Sequence, residues 1–350
     1  MPEVKRSMLA RTGTFFRFLR QQRAALPGLI ASLAPPDAAA ALQLTGAETD
    51  WVESGHAVRR GDRFRVTAAG HQWLAKPLAL AIEPRSTVYM RIAGEPVRKL
   101  IADDGVYEAW ANGQVEFLTK ALSEFADENG NMLPGKRSAQ RPGISIAIVA
   151  SDASPTDSGA PAHWHHLWRI GDGHIYTGDP DDIAVATHGD VGILQREVNL
   201  PLTEVTTLSW EWLIEQLPSQ LPEDLAFTHD YLSIAVEFDN GRDLTYMWSA
   251  GLPHDHVFRC PLGYWCDWET HWVLRSGEAG LGEWHGEARN IAADYRMALG
   301  EPLPKRVVRV WLIANSVFQR RHGKARFRGI RIHELPERAS DLRCEIVEPE

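Results

Sequence analysis

The feature that most constrains this chain is a two-residue alternation of apolar with polar or ionisable side chains, which recurs through residues 208–316. Successive side chains of a β-strand point to opposite faces, so this period predicts strands rather than helices. In residues 231–238, one face carries only apolar side chains, whereas Tyr231, Ser233 and Glu237 share the other. We expect the first face to be core and the second to border a polar, aromatic-lined cleft.

Thirteen tryptophans among 350 residues are the one departure from ordinary composition. Packing between sheets accounts for most of them, and stacking against sugar rings is the alternative. With 44% hydrophobic and 24% charged residues, the chain is typical of a soluble globular protein and is long enough for two domains. A net charge of −9 excludes nucleic acid as an expected partner, because phosphate binding needs a basic surface.

The three cysteines, Cys260, Cys266 and Cys344, form no disulfide framework and indicate a reducing, cytoplasmic location. We interpret Cys260 and Cys266 as small apolar residues, because neither has a histidine at a usual zinc-site spacing. The N-terminal residues lack an apolar run long enough for a signal peptide or a membrane span. Their alternating apolar and arginine residues instead predict helices that dock on this chain or on another subunit of a homo-oligomer, while a membrane surface is less favoured.

Changes of pattern divide the chain into four segments. Residues 1–44 have helical patterning, and residues 45–150 contain short alternating strands. Residues 151–160 have the composition of a linker, and residues 161–340 again contain many short strands. We therefore predict a mainly β protein with two antiparallel β-sandwich domains, the second a jelly roll, after an N-terminal helical extension.

Residues 45–150 carry a tryptophan followed by glycine, then Gly61-Asp62, an alternating strand that ends at Gly70, and Arg91-Ile92-Ala93-Gly94. This pattern resembles the galactose-binding-like sandwich of the LecA-type lectins. In that family, loop Asp, Asn and Thr residues hold calcium and sugar, and the nearest counterpart here is residues 127–131. The resemblance implies a sugar-binding fold, while an ordinary turn is the alternative for that loop.

The second domain resembles the uncharacterised bacterial family DUF3047. The residues that carry this resemblance are Trp210-Glu211-Trp212, residues 230–238 and 244–249, Arg275-Ser276-Gly277, Trp284, residues 287–290 and Asp294-Tyr295. The resemblance implies a jelly-roll fold and no established activity. This chain has Ile313-Ala314-Asn315-Ser316 where the family pattern continues into an Asp-rich strand, so a site that relies on those acids is not carried over.

An acidic and aromatic face of the second domain is the main candidate for a ligand site. Glycoside hydrolysis needs two carboxylates, one with a raised pKa, whereas a lyase needs a tyrosine or histidine base and a cation near the developing anion. The candidate catalytic residues are Glu211, Glu237, Tyr246, His271 and Arg275. The candidate ligand-binding residues are Trp210, Trp212, Asp230, Tyr231, Trp248, Trp284, Glu287, Arg289 and Asn290. The alternative is that these side chains form the solvated outer face of a sheet.

Residues 286–299 have the one helical pattern in the second domain. If the helix begins at residue 286, Glu287, Asn290 and Asp294 share one face, with Arg289 beside them. Such a helix would bring polar groups to the mouth of the sandwich. A charge network within the helix is the equal alternative.

Two His-x-His segments raise the question of a metal ion. On a strand, His163 and His165 point to one side, as two imidazoles do in jelly-roll metalloenzymes, and His254 and His256 repeat the spacing. A third ligand and second-shell partners cannot be located from the sequence. The sequence therefore assigns no cofactor and leaves a divalent cation open.

The sequence supports three functional hypotheses. The first is binding of a carbohydrate-like or polyhydroxylated ligand, a small molecule or glycan, on the aromatic and acidic face. The second is a hydrolase or lyase at the same face, with Glu211 or Glu237 as acid or base. The third is an oligomeric scaffold whose N-terminal helices and tryptophan surfaces pack against other subunits.

Overall fold

The computed structural model describes residues 20, 42–45, 48, 50–75, 80–93, 97–119, 143–171, 175–263 and 265–334. These residues form two β-sandwich domains, which confirms the predicted fold class. Of the predicted helical extension, residues 1–44, the structure describes residue 20 and residues 42–44, and the latter form a strand. The predicted calcium loop at residues 127–131 lies outside the described residues. Among the described residues, no helix is both long and apolar enough to cross a membrane.

The N-terminal domain packs two sheets around an apolar core. Its elements are β1 (Leu42–Leu44), β2 (Val52–Val58), β3 (Arg63–Ala75), β4 (Leu80–Ile82), helix α1 (Pro84–Thr87), β5 (Val88–Ile92), β6 (Arg98–Lys99), β7 (Asp104–Glu108), β8 (Gly113–Thr119) and β9 (Gly143–Ala150). One sheet has the order β1-β9-β3-β4, with β7 also paired to β3, and the other has the order β2-β8-β5-β6. Since β1 pairs with β9, the sandwich starts before the predicted boundary at residue 45.

The C-terminal domain packs a seven-stranded sheet against a five-stranded sheet. Its elements are β10 (His165–Ile170), β11 (Tyr176–Asp179), β12 (Asp182–His188), β13 (Val191–Pro201), β14 (Thr206–Gln216), a 3₁₀ turn (Ala226–Thr228), β15 (Tyr231–Phe238), β16 (Asp243–Ser249), β17 (Val257–Arg259), β18 (Glu269–Ser276), β19 (Trp284–Asn290), helix α2 (Ile291–Leu299), β20 (Arg306–Asn315) and β21 (His322–Glu334). The orders are β10-β13-β20-β15-β16-β18-β17 and β11-β12-β21-β14-β19. All pairs are antiparallel except β16 with β18, and the segment between these two strands contributes the edge strand β17.

The faces of β15 follow the predicted alternation, but both are buried. Its aliphatic residues lie between the two sheets, as expected. On the opposite face, Tyr231 is only 4% exposed and Glu237 is fully buried. Leu252 and Trp265, from the segment between β16 and β18, pack over this face. Within the described residues, the face predicted to border a cleft is therefore a second core.

The predicted helix at residues 286–299 is wrong in its first part. Residues Trp284–Asn290 form β19, which pairs with β14 so that Trp210 faces Glu287 across the ladder. Helix α2 starts only at Ile291, because the side chain of Asn290 accepts a hydrogen bond from the Ala293 N–H at 2.9 Å and caps the helix. The two-residue alternation of this segment outweighs its helical spacing once a partner strand is available.

The two domains are docked through α1 and the predicted linker. The hydroxyl of Ser86 in α1 donates to the carbonyl of Arg169 in β10 at 3.0 Å and accepts from its N–H at 2.9 Å. In the linker, Thr156 exchanges two hydrogen bonds with the main chain of Val106, at 2.8 and 2.9 Å. This docking encloses a cleft between the domains.

Candidate metal centre

Four ionisable side chains meet on the covered face of the seven-stranded sheet. They are His229, just before β15, Cys260, just after β17, and Glu269 and His271 at the start of β18. Glu269 and His271 lie two residues apart on one strand and so project to the same side. The antiparallel pairing of β17 with β18 brings Cys260 opposite Glu269, whose carbonyl accepts the Cys260 N–H at 3.0 Å. Strand register therefore assembles residues that are up to 42 positions apart.

The four side chains present one ligand atom each within a small volume. These atoms all lie within 4.8 Å of one another. Cys260 Sγ is 3.5 Å from His229 Nε2, and His271 Nε2 is 3.4 Å from a Glu269 oxygen. Around a tetrahedral Zn²⁺, with Zn–N near 2.0 Å and Zn–S near 2.3 Å, ligand atoms are separated by about 3.3–3.6 Å. Both distances match that spacing.

Neither ring nitrogen of His271 has a hydrogen-bond partner among the described residues, although the side chain is fully buried. Buried polar atoms are normally paired, since an unsatisfied one costs about 1–3 kcal/mol. Phe258 stacks on the imidazole of His271, with ring centroids 4.9 Å apart, and holds its plane in place. Packing thus orients the ring, and the Glu269 carboxylate, 3.4 Å from Nε2, is the ionisable group beside it.

His229 and Glu269 are each oriented by a hydrogen bond to a neighbouring group. Nδ1 of His229 lies 2.7 Å from the main-chain carbonyl of Glu223, which leaves Nε2 directed at Cys260. The hydroxyl of Tyr231 donates to Glu269 at 2.8 Å. In protein metal sites, ligating histidines usually donate their other N–H to a carbonyl or carboxylate, and ligating carboxylates are themselves hydrogen-bonded.

The electrostatics of the cluster also suit a cation. Burial, together with His271, lowers the pKa of His229 to about 3, so this imidazole is neutral and able to coordinate. Burial alone would raise the pKa of Glu269, but the adjacent imidazoles lower it to about 2 and keep the carboxylate charged. Burial raises the pKa of the Cys260 thiol well above its usual range, and a bound metal ion is the group that deprotonates such a thiol.

The two histidines predicted to share an ion lie elsewhere. His163 precedes β10 in a left-handed conformation, with φ of 66°, and His165 begins β10. Both side chains are exposed. The one cluster of three or more potential metal ligands among the described residues contains neither of them.

The two predicted catalytic carboxylates are not brought together. Glu211 lies on β14 in the five-stranded sheet and accepts a hydrogen bond from Arg328 at 2.8 Å. The guanidinium of Arg328 also lies 3.9 Å from the ring centroid of the half-exposed Trp284. Glu237 lies on β15 in the other sheet and accepts from Arg309 at 3.1 Å. Each acid thus pairs with its own arginine, and the two pairs lie on different sheets.

The remaining predicted catalytic residues belong to separate polar networks. Tyr246 lies between the sheets and donates to Asp294 at 2.8 Å, while Arg289 donates to both oxygens of the same carboxylate at 2.7 Å. Arg275 donates to Glu287 at 2.7 Å. Of the five candidates for catalysis, His271 alone is part of the four-residue cluster.

The predicted ligand-binding tryptophans Trp210, Trp212 and Trp248 are at most 2% exposed and form the centre of the core between the sheets. Asp230 is fully buried as well and accepts the main-chain N–H groups of Phe318 and Gln319. Burial raises the pKa of Asp230 to about 7. These side chains pack and connect the sheets rather than line a surface.

The family comparison bears on this same domain. Residues 175–331 match the family described as protein of unknown function DUF3047. The resemblance of the second domain to DUF3047 is thereby confirmed, and all four members of the cluster lie within the matched range. No curated protein matches the chain.

Solved structures similar to this chain include three from carbohydrate-active proteins. The xyloglucanase domain of NopAA from Sinorhizobium fredii, in complex with cellobiose, has 8% identity and a TM-score of 0.31, with 48% of this chain and 85% of that chain covered. An exo-β-agarase has 11% identity and a TM-score of 0.26, with 51% and 24% covered. The tandem CBM22 domains of Xyn10C from Paenibacillus barcinonensis have 10% identity and a TM-score of 0.22, with 79% and 80% covered. TM-scores this low support no argument about the function of either domain.

The sequence analysis missed the cluster because it treated Cys260 as an apolar residue. Spacing along the chain gives little help, since the four residues follow no compact motif. One signal was available: Glu269 and His271 alternate on a predicted strand that follows a cysteine after a turn. Only the pairing of β17 with β18 reveals that the cysteine returns to the same place.

Proposed function

We propose that the C-terminal domain binds one Zn²⁺ ion through His229 Nε2, Cys260 Sγ, a carboxylate oxygen of Glu269 and His271 Nε2. The observation that carries this proposal is the convergence of four buried ligand atoms within 4.8 Å, one of them on an imidazole that lacks any hydrogen-bond partner among the described residues. A thiolate and two imidazoles favour zinc over Ca²⁺ or Mg²⁺, which prefer oxygen ligands.

Charge balance supports a divalent ion. The bound cluster contains one thiolate and one carboxylate, and the two imidazoles are neutral. A divalent cation therefore makes the buried site neutral overall, which removes the penalty of burying two anions without countercharge.

The centre is closed, which favours a structural rather than a catalytic role. All four residues are at most 5% exposed, and four protein ligands leave no coordination position for substrate. The ion would fasten the segment between β16 and β18, through Cys260, to the loop before β15 and to β18. In this role zinc stabilises the C-terminal domain and keeps the segment between β16 and β18 packed on the seven-stranded sheet.

The metal content of the purified full-length protein tests this proposal. We expect about one zinc per chain by inductively coupled plasma mass spectrometry, and a large loss of zinc in Cys260→Ser. Cys266→Ser is the matched control, since Cys266 is partly exposed and its thiol donates to the Gly263 carbonyl and to Asp267. His271→Gln should also lose most of its zinc. His254→Gln, a change at an exposed histidine, should keep its zinc as Cys266→Ser does.

Replacement by Co²⁺ gives an independent readout, because a thiolate ligand produces an intense ligand-to-metal charge-transfer absorption. We expect this band in the wild type and in Cys266→Ser, and its loss in Cys260→Ser. A wild-type protein that takes up no zinc after reconstitution, or a cobalt spectrum without a thiolate band, contradicts the proposal. Copper in place of zinc in the protein as purified contradicts the choice of metal.

We also propose, as the second function of the protein, binding of a small hydroxylated ligand. The predicted aromatic and acidic face is buried, so the ligand needs another surface. The observation that favours one is the cleft between the docked domains, with a cavity of about 640 Å³, within the usual size of small-molecule sites. A stabilising interaction with a sugar-like compound in a thermal-shift screen, lost on substitution of cleft residues, is the test. A catalytic role has no such support, since the two predicted acids lie on different sheets.

A further inference from the structure

The cleft between the domains has an excess of positive charge. We define the interdomain cleft as the space between the domains whose lining includes Arg85, Arg98, Lys99, Arg169 and Gln195. It is bordered by α1, β6 and β7 on one side, by β10 and β13 on the other, and by the linker between them. Both domains therefore contribute to any ligand contact there.

The arginines of the interdomain cleft differ in whether a carboxylate of the protein neutralises their charge. Arg85 pairs with Asp103 at 2.5 Å. Arg98 instead stacks its guanidinium 4.1 Å from the centroid of Trp110. Arg169, only 5% exposed, donates to the carbonyl of Ile101 at 2.7 Å. Among the described residues, neither Arg98 nor Arg169 has a carboxylate within ion-pair distance.

The two acids of the interdomain cleft do not offset this charge, because each faces an arginine outside the lining. Glu108 lies 4.0 Å from Arg63, and Glu197 lies 3.9 Å from Arg309. Both carboxylates are more than half exposed and therefore belong to the rim. The interior of the cleft keeps its cationic character.

Two polar atoms in the lining, Nε of Arg85 and Oε1 of Gln195, lack a hydrogen-bond partner among the described residues. Oε1 of Gln195 is a buried acceptor, so it suits a donor such as a ligand hydroxyl. The hydroxyls of Thr156 and Ser158 and the rings of His165 and His166 add further polar groups nearby.

We infer that the interdomain cleft binds a small hydroxylated organic anion, whose carboxylate or phosphate lies between Arg98 and Arg169 and one of whose hydroxyls donates to Gln195. Arginine is suited to this role because its planar group binds carboxylate and phosphate through two parallel hydrogen bonds. The inference rests on the second proposed function and narrows its ligand to an acidic one; it is independent of the zinc centre.

Isothermal titration of the full-length protein with three probes tests the inference: D-glucuronate, glucose 6-phosphate and glucose. We expect at least one of the two anions to bind and glucose to bind at least about tenfold more weakly, because glucose cannot form the charge-assisted hydrogen bonds that an anion forms with arginine. The preferred anion distinguishes a carboxylate from a phosphate ligand. Raising the salt concentration should weaken binding of the anion.

Arg98→Gln and Arg169→Gln should each weaken binding of the preferred anion about tenfold or more. Arg98 is exposed, and its guanidinium stacks on Trp110 rather than joining the two domains, so its variant tests the inference even if Arg169→Gln unfolds. Arg326→Gln is the matched control: this arginine pairs with Asp182 on the five-stranded sheet, outside the cleft.

The outcomes separate the inference from the function on which it rests. Binding of glucose as tight as that of both anions overturns the anionic ligand but keeps the hydroxylated one. Absence of binding by all three probes overturns both. Anion binding that Arg98→Gln leaves unchanged overturns the placement in the interdomain cleft.

Discussion

Two buried polar clusters lie on the same covered face of the seven-stranded sheet, and they differ in how their charge is balanced. In the first, Glu237 on β15 meets Arg309 on the neighbouring strand β20 at 3.1 Å. In the second, His229, Cys260, Glu269 and His271 converge without a guanidinium or ammonium group among them. The comparison teaches that burial alone does not identify a functional site. A buried acid with its own cation is part of the fold, whereas a cluster of ligand atoms without one calls for a cation from outside.

The largest effect is expected from breaking the self-balanced cluster. Glu237→Gln leaves the guanidinium of Arg309, whose side chain is 7% exposed, without its buried countercharge, and should lower the free energy of unfolding by about 3–5 kcal/mol. Denaturant unfolding measures the change, and zinc content should stay at the wild-type value. The double variant Glu237→Gln/Arg309→Met should recover part of the loss. A loss of zinc in a folded Glu237→Gln protein would mean that the two clusters are one site.

Removal of zinc from the second cluster should lower the free energy of unfolding by a similar amount. An ion present at a thousandfold excess over its Kd stabilises the native state by about 4 kcal/mol. In a domain of this size, that corresponds to a Tm shift of roughly 10 °C. Scanning calorimetry with and without a chelator measures it, and Cys260→Ser should show no response to the chelator. An equal response in Cys260→Ser and Cys266→Ser would place the stabilising metal elsewhere.

A smaller effect is expected from the group that orients one of the ligands. Tyr231→Phe removes the hydroxyl that donates to Glu269 at 2.8 Å, while the ring stays in its apolar cluster. Loss of a hydrogen bond to a metal-ligating side chain typically weakens metal binding about 10- to 100-fold. Competition with a chromophoric chelator measures the zinc Kd. The control is Tyr295→Phe, whose hydroxyl accepts from Asn240 away from the cluster.

The smallest effect concerns a third buried charge, in the interdomain cleft. Burial, with a contribution from the facing Arg169, lowers the pKa of Lys99 from 10.5 to about 7. Arg85 and Arg98 line the same cleft, Tyr89 lies under the ammonium, and Leu167 accepts its hydrogen bond. Between pH 7 and 10.5 the unfolded chain holds the proton more tightly than the native protein does, so stability should rise with pH in this window.

The expected gain is about 1 kcal/mol between pH 7 and 8. Unfolding of the wild type and of Lys99→Met at both pH values isolates it, because the variant should lack the rise. Identical pH profiles would show that Lys99 stays charged, and the cleft would then hold a permanent third cation beside Arg98 and Arg169.

Much of the fold could be predicted because alternation records which residues share a strand face. It placed the aliphatic side of β15 in the core. It did not reveal what covers a face. The polar side of β15 was expected to be open, yet residues between β16 and β18 pack on it.

The candidate site was harder to predict than the fold for a related reason. His271 was selected from its strand position, but its partners come from a loop 42 residues earlier and from an edge strand whose register no local pattern fixes. The segment Trp284–Asn290 shows the same limit, since its residues satisfy both a helical and a strand spacing until β14 pairs with it. Long-range pairing, not local preference, decides both cases.

The position of β17 has a consequence for how the protein associates with itself. This strand is the edge of the seven-stranded sheet and pairs only with β18 in that sheet. Cys260 follows directly after the last residue of β17, so a metal ion bound to Cys260 would keep β17 paired with β18. When the ion leaves, β17 is free to detach, and the hydrogen-bonding edge of β18 then becomes available to a strand from another molecule. Zinc would in that way protect the protein against edge-to-edge aggregation, a role that concerns its solubility as much as its stability.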